Sequence, residues 1–408
     1  MRVAFLSHEV FHPPSGGGSA EAIYLAQELT RRGHEVHVFC PQVDQPEALR
    51  RRYGVELHEF KTWPMSRYAR LRTLKYLFYP LFLERMVAAS AAALRFDLVL
   101  SQHAIAAVTA GRLRGKLGVP VVMNFLDYLT GFMETWPGYL APKPLIRAFE
   151  RFELSLPLRY QADAVLTVSD TLADHFVSAG YPRSRLLPIY YGFDMDLFPL
   201  REAGRAAEAS GEPVVVMHGS FDHHHLGPIA MIALAHVWGR KPGTRFRFVG
   251  RQTPTLTRFA AQLRKGLPGI QLECPGFIPY TEIANHLADA SVGIVPYEES
   301  TGTHCAFVAK IVEYVGLGLP VVSTPLNGAR RYFANEPLVR FAQFDGDSFG
   351  RHIVSWLDEP LPRRHALAGA ASRRVRAELD WRAISRKAID FVEETRRTGG
   401  PDQGRAGA

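Results

Sequence analysis

The chain has 408 residues, more than one ordinary hydrophobic core holds, so two domains of similar size are expected. Hydrophobic residues at 47% and charged residues at 22% exclude disordered and collagen-like classes. With 48 Lys and Arg against 40 Asp and Glu, the net charge of +8 suits a nucleic acid, an anionic lipid or a phosphorylated small molecule and does not choose among them.

The three cysteines, Cys40, Cys274 and Cys305, are sparse and lack metal-ligand spacing, which points to a reducing, cytoplasmic setting and away from a disulfide framework. "MRVAFLSHEV" opens with a short apolar run that reads as a first strand and not as a signal peptide. The most apolar stretch, Tyr76 to Phe96, is interrupted by Pro80, Glu84 and Arg85, so no spanning helix is expected.

Along the first half, "RVAFLS", "EVHVFC", "DLVLS", "VPVVMNF" and "ADAVLTVS" alternate with amphipathic segments such as "SAEAIYLAQELTRRG". This alternation predicts βαβ units around a parallel sheet buried on both faces. Apolar content falls at Phe198 to Pro213, the expected linker, and the pattern restarts with "VVVMHGS", "RFRFVG", "IQLEC", "SVGIVP" and "LPVVST". The expected layout is an N-terminal Rossmann-like domain over 1–197, a linker over 198–213 and a second doubly wound domain over 214–380. A C-terminal helix over 381–397 is expected to pack back on the first domain, and 398–408 to form a disordered tail. Ligands of such sheets bind outside the carboxyl ends of the strands, so a central cleft is expected between two facing domains.

After the first strand, Gly16, Gly17 and Gly18 precede Ser19, expected as an N-cap. Backbone N–H groups of a glycine loop at a helix start suit an anion or sugar hydroxyls, although a tight strand-to-helix turn needs glycine too. The spacing is that of neither a dinucleotide fingerprint nor an NTPase phosphate loop. Further on, "MSRYARLRTLKYLFYPLF" interleaves Arg67, Arg70, Arg72 and Lys75 with aromatic residues, which suits an anionic membrane surface or a packed helix with solvated arginines. No recognition module for nucleic acid surrounds it.

His103 follows "DLVLSQ" and Asp127 follows "VPVVMNFL", both at expected carboxyl ends of strands. There a carboxylate or imidazole can serve as base or orienting group toward an acceptor hydroxyl, although Asp127 also suits a turn and His103 a loop. In the second half, Lys310 and Glu313 stand three apart on a helix expected to begin near Val308. A lysine at a helix start suits a diphosphate, and a carboxylate one turn later can accept two ribose hydroxyls. The plain alternative is an ion pair on a solvated face. The run His223 to His225 is a candidate metal site or, more simply, a polar loop.

"KIVEYVGLGLPVVST" resembles the Lys-x-x-Glu-Tyr-x-x-x-Gly-x-Pro-Val-Val signature of the family-four (group 1) glycosyltransferases of GT-B fold. "PPSGGGSAEAIYLAQELTRRGHEVHVF", "ADAVLTVSDTLADHFVSAGYPRSRLLPIYYGFDMDLF", "VVVMHGS" and "FRFVGRQ" are similar to further stretches of that family, in order from Met1 to about Arg397. The resemblance implies transfer of a sugar from a UDP- or GDP-sugar to an acceptor hydroxyl, on a saccharide or lipid-linked saccharide of a surface polymer. It also implies no cofactor or metal beyond the donor substrate. On it, Glu313 holds the donor ribose, Lys310 the diphosphate, and Gly16 to Gly18 lie against the donor. Cys305, Ser220 and His225 stand where the family often has Glu, Arg and Lys, so Arg251, after "FRFVG", is the expected replacement cation, with the His223 to His225 run second to it. Leu126 stands where many relatives have histidine, which leaves open inversion with Asp127 as base or retention with Asp127 as orienting group. A GT-B sugar-nucleotide epimerase and a donor-binding subunit without turnover are the alternatives.

Overall fold

The computed structural model describes residues 1–12, 17–61, 73–136, 138, 142–198 and 212–398. The chain divides into two compact units: Met1–Leu129, Arg147–Tyr190 and Trp381–Ala408 form unit 1, and Thr130–Ile146 with Tyr191–Asp380 form unit 2.

In chain order the first half gives β1 (Arg2–Ser7), α1 (Gly17–Arg31), β2 (Glu35–Pro41), α2 (Pro46–Tyr53), β3 (Val55–Phe60), α3 (Thr73–Leu94) and β4 (Leu98–Gln102). It continues with α4 (His103–Leu117), β5 (Val121–Phe125), α5 (Lys143–Arg159), β6 (Ala164–Thr167), α6 (Asp170–Ser178) and β7 (Leu186–Pro188). All seven strands run parallel, in the order β3-β2-β1-β4-β5-β6-β7. Their apolar runs follow from burial on both faces: every residue of β4 and β5 is buried. The order reverses between β1 and β4, where Ser7 pairs with Gln102, so the loops after these two strands start side by side.

The second half gives β8 (Val214–His218), α7 (Pro228–Arg240), β9 (Arg245–Val249), α8 (Pro254–Gly266), β10 (Gln271–Gly276), α9 (Ile283–Leu287) and β11 (Val292–Val295). Then come α10 (Thr301–Cys305), α11 (Ala309–Gly316), β12 (Val321–Ser323), α12 (Asn327–Phe333), β13 (Val339–Phe341), α13 (Gly346–Leu357), α14 (Leu361–Glu378) and α15 (Trp381–Thr398). The unit 2 sheet is also wholly parallel, in the order β10-β9-β8-β11-β12-β13, and reverses between β8 and β11. Both sheets are therefore doubly wound, and each has a switch point, the place where sheets of this kind bind ligands.

The boundaries differ from those at 197 and 214. Gly131–Thr135 forms a 3-10 turn that belongs to unit 2, because Thr301 donates to Glu134 from its backbone N and its Oγ1 at 2.7 and 2.8 Å. Gly302 admits that turn: a Cβ there would stand 2.3 Å from the Phe132 nitrogen. Phe193 likewise belongs to unit 2, its ring filling the space left by Gly316, where a Cβ would meet it at 2.2 Å. α15 belongs to unit 1, with Ala388, Ile389 and Val392 buried among α1, β1 and β2 residues. Burying such aliphatic side chains stabilises a fold by roughly 1–3 kcal/mol each. The linker residues 199–211 and the tail 399–408 lie outside the described residues.

α1 begins at Gly17, two residues before the expected N-cap at Ser19. Gly16 lies outside the described residues, as do Arg67, Arg70 and Arg72 of the basic aromatic segment, and the Lys75 side chain with them. Among the described residues, no helix is long and apolar enough to cross a membrane.

Candidate active site

In unit 2, β8 delivers His218 to the switch point, and the next residue, Gly219, is exposed with φ 103°. α11 delivers Lys310 and Glu313 to the same place. It is a buried helix with Val308 as N-cap, and no side chain caps its first turn. A helix start whose amides are not taken by a side chain favours an anion. α7 differs: Glu298 Oε1 accepts from the Ile229 N–H at 2.9 Å, so a carboxylate already occupies that helix start. Burial pushes the Glu298 pKa up, against the opposing pull of that amide.

Lys310 and Glu313 are both buried, which removes the reading of a solvated ion pair. Glu313 Oε2 lies 2.5 Å from His218 Nε2, and Oε1 accepts from the Tyr280 hydroxyl. The Tyr314 hydroxyl receives the His218 backbone N–H at 3.1 Å and lies 3.0 Å from His218 Nδ1. Tyr314 fits because β11 offers Gly293 beneath it; a Cβ there would stand 2.4 Å from the ring. Burial, then the Glu313 charge, holds the Tyr280 pKa well above the usual phenol range. Burial does the same to Tyr314, although the His218 amide opposes it. Glu313 uses two of about four lone-pair sites on these protein groups, and the rest stay available to ligand hydroxyls.

Lys310 Nζ donates to the Tyr297 hydroxyl at 3.0 Å. Its side chain abuts Gly219, whose missing Cβ would stand 3.0 Å from Cε. A buried ammonium is costly unless an anion compensates it. Here its partner is a neutral hydroxyl, on a lysine lying directly under an exposed glycine. An anion beside Lys310 would offset the cost of that burial.

Arg251 and His225 take other partners. Arg251 is exposed after β9, and its guanidinium rests 4.9 Å over the Phe277 ring on the β10 side, whereas Lys310 meets the β11 loop on the opposite side of β8. The expected replacement cation is thus not brought to Lys310 in this conformation. His225 is buried, its Nδ1 accepts from the Asp222 N–H at 3.0 Å, and its ring packs 4.6 Å from that of Tyr297. It supports the tyrosine that holds Lys310. Among the described residues, no group of His, Cys, Asp and Glu is arranged to hold a metal ion, so the His223–His225 run reads as a loop.

In unit 1 the switch point gathers His8 and Glu9 after β1 with His103 at the start of α4. His103 is buried at φ 67°, an uncommon conformation for a residue with a side chain. Its Nε2 stands 3.5 Å from the Glu9 carboxylate, and its ring lies edge-on to that of His8 at 5.1 Å. Burial alone would lower the His103 pKa, but the Glu9 charge and hydrogen bond, with smaller help from Asp127 and Glu21, raise it. Glu21 of α1 is fully buried, and its Oε1 accepts from Asn124 Nδ2 of β5 at 2.5 Å. Burial pushes the Glu21 pKa up to about 8, against the pull of that amide. Asp127, half-buried just past β5, acts electrostatically on both His103 and Glu21. Leu126 beside it is buried in the core.

His218, Tyr280 and Tyr297 are site residues that the sequence reading missed. His218 and Tyr297 were findable, since they end or follow the two strands that flank the switch point. Tyr280 comes from a short turn after β10, and nothing local marks it.

The sequence matches the family described as Glycosyltransferase Family 4 over residues 15–197, and Glycosyl transferases group 1 over residues 212–359. No curated protein matches the chain in sequence. Among solved structures, sucrose-phosphate synthase from Thermosynechococcus elongatus is similar at 16% identity and a TM-score of 0.78, over 96% of this chain and 98% of that one. HepE from Anabaena, solved with UDP-glucose, is similar at 18% identity and a TM-score of 0.71, over 97% of this chain and 100% of that one. WaaG, a glycosyltransferase involved in lipopolysaccharide biosynthesis, is similar at 18% identity and a TM-score of 0.67, over 96% and 99%.

Proposed function

Because the chain belongs to the family-four and group 1 glycosyltransferases, with the two family descriptions in tandem along most of its length, we propose that unit 2 binds a nucleoside diphosphate sugar. The observation that carries this is Lys310 at the start of α11, buried beneath exposed Gly219 with Glu313 one turn on. Lys310 and the α11 amides take the diphosphate, and Glu313, fixed by His218 and Tyr280, takes ribose hydroxyls. The complex of HepE with UDP-glucose makes a UDP-sugar the first donor to test.

In the reaction the acceptor oxygen forms a bond to the anomeric carbon as the bond from that carbon to the diphosphate breaks. The diphosphate leaves with the electron pair. Lys310 and the helix start stabilise its growing charge, so this reading assigns that role to the chain's own groups and not to a metal ion. The acceptor proton goes to Asp127 in an inverting course; in a retaining course it goes to the departing diphosphate oxygen, while Asp127 and His103 orient the hydroxyl. We assign the acceptor to a saccharide or lipid-linked saccharide of a surface polymer, with the enzyme working in the cytoplasm and touching an anionic membrane from one side.

Melting curves with UDP, GDP and their sugars test the donor, since a ligand that binds only the folded state raises the melting temperature. A rise with a nucleoside diphosphate that Lys310→Ala abolishes is the expected result, and no response to any nucleotide would remove the reading. Turnover of a nucleotide sugar without acceptor would favour an epimerase, and binding without turnover a donor-binding subunit.

A further inference from the structure

His218, at the end of β8, bridges two consecutive residues of α11, with Nε2 2.5 Å from Glu313 Oε2 and Nδ1 3.0 Å from the Tyr314 hydroxyl. All three side chains are buried, so each proton among them needs an acceptor inside the protein. One arrangement of protons satisfies the set. The Tyr314 oxygen accepts from the His218 backbone N–H at 3.1 Å, and among the described residues the tyrosine's own proton has one acceptor, His218 Nδ1. Nδ1 is then unprotonated, and the ring proton sits on Nε2, where the Glu313 carboxylate accepts it. The opposite tautomer would strand the tyrosine proton and turn a bare nitrogen lone pair toward a carboxylate oxygen. Tyr314 is held to this task because its ring fills the space over Gly293 of β11.

We propose that His218 is a positioning residue that makes the site select ribonucleotides over their deoxy counterparts. Tyr314 fixes its tautomer, and the Nε2 proton sets the orientation of the Glu313 carboxylate. The Tyr280 hydroxyl donates to the other oxygen, Oε1, so each carboxylate oxygen takes one protein donor and keeps an acceptor position for a ligand. Two acceptor positions on one fixed carboxylate match the neighbouring 2′ and 3′ hydroxyls of a ribose. A sugar without those hydroxyls leaves the carboxylate short of donors. That role rests on the reading of unit 2 as a nucleoside diphosphate site. Lys310, which takes the diphosphate on that reading, hydrogen-bonds Tyr297 and not His218, so the two halves of the nucleotide can be tested apart.

The test is calorimetry of UDP and of 2′,3′-dideoxy-UDP with the full chain and with His218→Phe, His218→Gln and Tyr314→Phe. The guanosine pair replaces them where GDP alone shifts the melting curve. The wild type should bind the ribonucleotide roughly 10- to 100-fold more tightly than the dideoxy form, the worth of hydrogen bonds to a charged group. In His218→Phe that ratio should fall roughly 10-fold, with the affinity for the dideoxy form unchanged. His218→Gln can place an amide N–H where the Nε2 proton stood and should restore the ratio. Tyr314→Phe keeps the imidazole but releases its tautomer, and should lower the ratio in part. A merely structural role for His218 would lower the melting temperature or weaken both nucleotides alike, with the ratio kept in every variant. That result overturns the proposal, as does a wild type that binds both forms equally. In either case ribonucleotide binding by the wild type preserves the donor reading. Absence of binding by UDP and GDP alike removes the donor reading and the role of His218 with it.

Discussion

His218 Nε2 and Glu313 Oε2 meet at 2.5 Å across 95 residues of sequence, tying the end of the central strand β8 to helix α11. The carboxylate therefore has a structural role as well as the ligand role assigned to it. Removing one member of a buried hydrogen-bonded pair leaves the other unsatisfied, at a cost of about 1–3 kcal/mol.

Glu313→Ala is accordingly expected to lose stability as well as nucleotide affinity. His218 and Tyr280 would both be left without their acceptor. Urea unfolding should show a loss of roughly 1–3 kcal/mol, and calorimetry with UDP a weaker complex. A variant of unchanged stability would mean that water or a shifted side chain replaces the carboxylate.

Lys310 is expected to behave in the opposite way. Its ammonium is buried against a tyrosine hydroxyl, so Lys310→Met removes a costly charge at similar volume and should leave the nucleotide-free protein as stable or more so. Diphosphate binding should weaken by roughly 1.5–3 kcal/mol, the worth of a charge-assisted hydrogen bond. Loss of stability together with unchanged UDP affinity would show that Lys310 serves the core.

Glu21 gives a pH dependence in unit 1. Its pKa rises from 4.5 to about 8 by burial, so the folded chain keeps a proton that the unfolded chain has lost. The stability this contributes is fully present below the unfolded value and disappears as pH rises through about 8. A tenfold difference in proton affinity between the folded and unfolded chains corresponds to about 1.4 kcal/mol. Glu21→Gln holds a neutral amide at all pH, so its unfolding free energy should fall less between mildly acidic and mildly alkaline buffer than that of the wild type. Parallel pH profiles for the two proteins would assign the proton elsewhere.

The alternation of strands and helices is legible because burial on both faces of a parallel sheet forces continuous apolar runs such as those of β4, β5 and β8. Lys310 and Glu313 are legible for a local reason, the helical spacing that puts them on one face. The partners of Glu313 are not, because pairing His218 and Tyr280 with it depends on strand order across the sheet. Arg251 follows a strand end as expected, yet its guanidinium turns to Phe277, a choice made by side-chain stacking that spacing does not encode. The membership of Gly131–Thr135 in unit 2 depends on Gly302, one glycine among 34 whose need for a bare backbone shows only in three dimensions.

Asp127 lies half-buried beyond β5, within electrostatic reach of His103 and Glu21. Lys310, Glu313 and the α11 amides, which the proposed function gives to the donor, lie in unit 2, so Asp127→Asn should leave the melting response to UDP unchanged. Turnover should fall by roughly 10²–10⁴-fold if the carboxylate takes the acceptor proton or orients the hydroxyl. The anomeric configuration of the product then divides the two courses: inversion makes Asp127 the base, whereas retention leaves it an orienting role beside His103. His103→Gln supplies the comparison, because its raised pKa depends first on Glu9 overcoming burial and only then on Asp127. Should Asp127→Asn turn over like the wild type while His103→Gln does not, the imidazole is the acceptor-side group and Asp127 a turn former.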